Sequence, residues 1–198
     1  DRMFEHQDRV GGGQGDRAFG AGSTPDAVEA LLAVPGSAAI RERAFGYLPG
    51  EGEWIAHPLD AIELTVFNLH HGRTRPEIQN LGLLVGICGV EVLHVGDTEA
   101  DAGDFRTAGL GDATPDVALL PSWLVRPSRW SGVVPEVLRP SHVVAMHLPR
   151  RDAPSSYFYG GTRDLDGLVA AIRGNHPDAW IPLASGESRR FACAERRD

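Results

Sequence analysis

The chain has 198 residues, with 27 acidic against 19 basic side chains and a formal net charge of −8. That length suits one domain able to bury its apolar surface without a disulfide or zinc staple. The negative balance argues against nucleic acid or an anionic membrane as the main partner, and every apolar run is shorter than the roughly 18 residues a membrane span needs.

Residues 1–24 are rich in Gly, Arg and Asp, with a breaker cluster at Gly11–Gly12–Gly13, and read as a loop or lead-in ahead of a domain over 25–198. Asp26 to Leu32 predicts a short helix, capped by Ser23 or Thr24 with Pro25 in its first turn and ended by Pro35–Gly36. Residues 45–60 are turn-rich and suggest no regular element. Ile62–Leu69 (IELTVFNL) alternates and is β-branched, so it is a strand. Two apolar runs follow, Leu81–Ile87 and Val90–Gly96, read as a hairpin of buried strands joined at Cys88–Gly89. Cys88 is expected to be a buried small hydrophobe, since it shares no CxxC and Cys193 is the only other cysteine.

Residues 101–110 suit a short helix, and 116–121 (DVALLP) a strand stopped by Pro121. A second short helix is expected over 130–138, then a strand over 141–147 (SHVVAMH). Leu165–Gly174 has helical spacing with Gly174 at its C-cap, and 179–183 (AWIPL) reads as a last short strand. Strands alternating with helices indicate an α/β layered domain. With no charged-then-apolar leader in view, a cytoplasmic location is expected.

Three of these strands end on a group able to bind metal: the first on His70–His71–Gly72, the hairpin on Gly96–Asp97–Thr98, the fifth on His147. Strand ends on one sheet edge bring distant residues together, and His with Asp suits zinc or a similar borderline cation. His94 lies three residues before Asp97 and is expected on the opposite face, packed in the core. His142 is expected at the surface. His57 and His176, each beside a proline, are read as loop residues.

Residues 68–105 (NLHHGRTRPEIQNLGLLVGICGVEVLHVGDTEADAGDF), then 116–123 (DVALLPSW) and 138–147 (LRPSHVVAMH), resemble the later half of the metallo-β-lactamase fold, in its lactonase-like metal-dependent hydrolase branch. A weaker match runs through Ser185–Gly186–Glu187. The resemblance implies an αββα sandwich, incomplete at its N-terminal side. It implies that His71, placed directly before a Gly, that Asp97, bridging two metals, and that His147 are ligands of one or two zinc ions. His70 would then stand behind the ligands or at the surface.

The family's main signature, His-x-His-x-Asp-His, is not intact. Phe4-Glu5-His6-Gln7-Asp8-Arg9, before Val10-Gly11-Gly12, matches only its second His and its Asp, which makes His6 and Asp8 candidate ligands. Aligning Asp26–Leu32 with the family's following helix would instead put the motif at residues 17–22, where no ligand remains. With Phe4 in a ligand position, metal occupancy is expected to be weak or partial. The resemblance implies a metal-activated hydroxide attacking an ester, lactone, amide or phosphodiester centre of a small-molecule substrate, with Asp97 and Asp8 as catalytic carboxylates. Arg73, Arg75 and Asn80 flank the His71 loop as candidate substrate contacts, and Trp123 and Trp130 as candidate pocket walls. A degenerate, non-catalytic binding or assembly module is the alternative. An open half-sandwich would expose apolar sheet, so a second copy or an N-terminal half is expected to cover it.

Overall fold

The computed structural model describes residues 29, 33, 46–59, 61–72, 78, 80–155 and 162–191. The helix expected over 26–32 therefore lies almost wholly outside the described residues, as do His6 and Asp8. Six strands form one sheet in sequence order: β1 (Trp54–Leu59), β2 (Ile62–Asn68), β3 (Leu81–Ile87), β4 (Val90–His94), β5 (Val117–Pro121) and β6 (His142–Met146). The first four run antiparallel, and β4–β5 and β5–β6 are parallel. Strands β2, β4, β5 and β6 thus point the same way, and their carboxyl ends share one edge.

The β3–β4 turn explains a departure from the sequence reading. Cys88 and Gly89 take φ of 51° and 75°. A two-residue hairpin with positive φ at both positions matches the right-handed twist of its strands. Cys88 therefore sits exposed at the tip rather than buried in the run. Strand β1 was not anticipated, because Pro58 and the surrounding turn residues mask its alternation. It is an edge strand, where a proline is tolerated. His57 consequently lies buried in a strand, edge-on to the Tyr47 ring at 6.0 Å, rather than in a loop. Trp54 stacks on Phe67 at 5.3 Å between centroids and donates its indole N–H to Ala108 O.

Among the described residues, four helical segments cover one face: α1 (Ala102–Thr107), α2 (Ser122–Val125), a π-helical turn (Val133–Leu138) and α3 (Leu165–Asn175). Asp101 caps α1 in a reciprocal capping box with Asp104. The core between helices and sheet joins Phe67, Leu93, Leu120 and Ala145 to Phe105, Leu124, Leu138 and Ile172. Gly174 lies inside α3 rather than ending it: the helix runs on to Asn175, whose amide donates to Val125 O, and His176 is the C-cap. The strand expected over 179–183 shrinks to one bridge, Trp180 with Val144, because Pro182 cannot continue a ladder. On the opposite face Leu64, Val66, Val85, Val92, Leu119 and Val144 form an apolar surface reached by Tyr47, Trp180 and Phe191. Among the described residues there is one sheet with helices on one side, which corresponds to two layers of the expected four-layer sandwich.

Phe67 is fully buried, and its ring lies directly over the Cα of Gly82 on β3. A methyl group there would overlap the ring. Gly82→Ala is expected to lower unfolding free energy by about 1–3 kcal/mol, the usual cost of overpacking a core. Urea unfolding checks this, and a variant as stable as the parent would mean that Phe67 can move aside.

Candidate metal centre

The shared strand edge carries His71 after β2, Asp97 after β4 and His147 after β6. His71 Nε2 lies 3.2 Å from Asp97 Oδ2, and His147 Nε2 lies 3.6 Å from Asp97 Oδ1. The carboxylate therefore stands between two imidazoles with one oxygen toward each. The expected convergence of the three side chains is what the structure shows. His147 adopts φ of 54°, a conformation rarely taken by a residue with a Cβ. Ser122 Oγ donates to its carbonyl at 3.4 Å.

Backbone ties hold these loops. Asn80 donates to Leu69 O and Val95 O, both at 3.0 Å, and accepts from Asp97 N–H at 2.7 Å. Gly96 has φ of 66°, and a Cβ there would collide with Asn80 Oδ1. The glycine is thus required both by its dihedral and by close approach. Thr98, fully buried, donates to His70 O at 2.7 Å, and Glu99 N–H donates to His71 O at 2.8 Å. His70 turns away from Asp97 and meets Asp104 Oδ2 of α1 at 2.9 Å. That separation bears on which of the adjacent histidines faces Asp97: it is His71.

Asn80 requires a correction. It was expected to contact substrate, yet it is buried and its amide is committed to three backbone groups. It positions the loops instead. Arg73 and Arg75 lie outside the described residues. His94 shares the β4 face of Val92, as alternation predicts, and accepts from Gly96 N–H through Nδ1 at 3.0 Å. Burial, and then the charge of His147, hold its pKa below the ordinary value.

A cavity of about 460 Å³ opens over Asp97. Trp123 and Trp130 wall it, their indole N–H groups donating to Thr98 O at 2.8 Å and Glu99 O at 2.7 Å. The Trp123 ring lies 5.2 Å from the His147 ring. Sequence reasoning missed Arg126, which also lines the cavity. The signal available was a lone charge in the apolar turn Trp123–Leu124–Val125 before Pro127.

Two imidazoles and a carboxylate beside an open cavity are donors of the type a borderline divalent ion takes. In chemistry they fit such an ion. As a cage they are incomplete: among the described residues, no three His, Cys, Asp or Glu side chains are grouped to hold one ion.

No protein-family model matches the chain, and no curated protein shows significant similarity to it. Solved structures do. The metallo-β-lactamase fold protein YhfI of Bacillus subtilis aligns over 92% of this chain and 66% of its own, with 9% identity and a TM-score of 0.49. A protein of Veillonella parvula described as a possible metal-dependent hydrolase aligns over 83% of this chain and 63% of its own, with 15% identity and a TM-score of 0.50. The chain thus spans just under two thirds of the length of either. The chain has an α/β fold, and its likeness to the Veillonella protein is a likeness of fold. Among the described residues, no helix is long and apolar enough to cross a membrane.

Two predictions follow from this geometry. Asn80→Ala leaves Leu69 O, Val95 O and the Asp97 N–H without their partner. Two of these groups are buried, and each so stranded costs about 1–3 kcal/mol, so a loss of about 2–6 kcal/mol is expected on chemical unfolding. The second concerns acid. Below about pH 6.5 the unfolded chain protonates His94 before the native protein does, because the native pKa is depressed. Stability present above that pH is therefore lost as pH falls through the native value. His94→Gln should flatten this part of the stability–pH curve, and an identical slope in parent and variant would count against it.

Proposed function

We propose that the protein is a metal-dependent hydrolase of the metallo-β-lactamase superfamily, cutting an ester, lactone, amide or phosphodiester bond in a small molecule. One observation carries the reading: Asp97 stands between His71 Nε2 and His147 Nε2 at the base of a cavity on this fold. His71, Asp97 and His147 would hold the metal, with zinc the expected ion and His6 and Asp8 the candidates for completing the set. A bound divalent ion would lower the pKa of a water toward neutrality and polarise the scissile group.

The chain's own residues do the rest. Asp97 faces both imidazoles, so its carboxylate orients two side chains at once and keeps each Nε2 turned to the cavity. The Trp123 and Trp130 rings, pinned through their indole N–H groups, narrow the cavity beside it. A substrate pressed between them reaches Asp97 in a restricted set of poses, which is where orientation lowers a barrier.

A second reading, a non-catalytic binding module of the same fold, is favoured by the incomplete donor set among the described residues. Asp97→Asn separates the two. Asparagine preserves shape and hydrogen bonding but removes the charge. In the hydrolase reading, zinc affinity falls at least about tenfold, as loss of a charged ligand implies, and turnover of an ester and phosphodiester panel disappears. Isothermal titration with zinc and single-turnover assays measure both. A parent protein that takes no zinc, or a variant that binds it equally well, would leave the binding module as the function.

A further inference from the structure

Arg126 is 5% exposed, yet its guanidinium has little to hold it. Its one side-chain hydrogen bond is a long one, Nη1 to Pro127 O at 3.5 Å. Among the described residues no carboxylate pairs with it. Asp97 and Glu99 line the same cavity, but Asp97 faces the two histidines and Glu99 lies 4.0 Å from exposed Arg129. Arg129 is itself occupied, its guanidinium lying 4.1 Å over the Trp130 ring.

A buried guanidinium carries five N–H donors and a charge that cannot be discharged at ordinary pH. Among the described residues, no protein acceptor meets most of those donors, and Arg126 lines the cavity, where a ligand can complete them. Burial pulls the pKa of Arg126 down from its ordinary value, in keeping with a cation short of counter-charge. The planar fork suits the two oxygens of a carboxylate or phosphate. Its neighbours in the wall, Trp123, Trp130, Leu148 and Leu168, offer apolar surface beside it. The chain as a whole is negative, so an anion entering this cavity needs a local cation, and Arg126 is placed to be that cation.

We infer that Arg126 is the anion-recognition residue of this cavity, and that the ligand is an amphipathic acid, with an apolar or aromatic body between the tryptophans and a carboxylate or phosphate on Arg126. Calling that ligand the substrate rests on the hydrolase reading; the anion site itself does not. The substrate would then carry a negative group separate from the bond that is cut.

Three probes of similar shape test this by their effect on the indole N–H signals in ¹⁵N NMR: benzoate, phenylphosphonate and neutral benzamide. The anions are expected to bind about tenfold more tightly than benzamide, the weight of one charge-assisted pair of bonds. Whichever anion binds more tightly names the group recognised. Arg126→Gln should erase the preference, and Arg126→Lys should retain part of it, which also controls for a variant that fails to fold. Asp97→Asn should keep the preference. Equal affinity for all three probes in the parent overturns the inference, as does an undiminished preference in Arg126→Gln. So does a preference lost in Asp97→Asn but kept in Arg126→Gln, which would place the anion on a metal instead. A parent that prefers the anions through Arg126 yet binds no zinc would sustain the anion site while removing the hydrolase reading.

Discussion

The carboxamide of Asn80 is the constraint on which the site edge depends. Past the last ladder bonds of β2 and β4, nothing in a sheet fixes where the chain goes next. Asn80 supplies the missing registration by donating to the last carbonyls of both segments and accepting from the Asp97 amide. Only a carboxamide offers two donors and an acceptor in one plane at that reach. Gly96 is the complementary half of the device, since any side chain there would displace the amide oxygen. From this point the order propagates: Thr98 fastens the His70 carbonyl, Glu99 fastens that of His71, and Asp104 fastens the His70 ring.

The direction of the strands turns that local order into a site. Because β2, β4, β5 and β6 run the same way, their outgoing loops meet on one edge, which is where an open α/β sheet gathers ligand-binding groups. Each strand contributes something different there. β2 and β6 bring imidazoles, β4 a carboxylate, and β5 the aromatic wall and the buried guanidinium. The four contributions come from separate stretches of the sequence.

Much of the fold was legible because its strands obey simple patterns. β2 alternates, the β3–β4 hairpin is two apolar runs about a short turn, β5 ends at Pro121, and β6 ends at Met146, just before His147. What failed did so for local reasons. β1 hides behind Pro58, which reads as a turn signal yet is tolerated on an edge. Cys88 looked buried by composition, but a two-residue hairpin puts its tip residues in water. Residues 179–183 had strand composition without room for a ladder. At the site, strand-end position identified His71, Asp97 and His147 as meeting, whereas Asn80 was misjudged because sequence shows that a polar residue flanks a loop but not that its amide turns inward. Arg126 went unseen because burial of a charge is a tertiary fact.

The wall formed by residues 122–131 leaves the end of β5, while the imidazoles and carboxylate leave from other strands and meet it through the Trp123, Trp130 and Ser122 hydrogen bonds. The cavity wall and the imidazole–carboxylate group are thereby encoded in separate stretches of chain. Exchanges between Trp123 and Trp130 that keep both indole hydrogen bonds alter the wall while leaving the backbone of the Asp97 loop tied as it is. Two proteins with the same donors at this edge therefore need have no ligand in common, and the β5 loop is the segment whose inheritance would tell them apart.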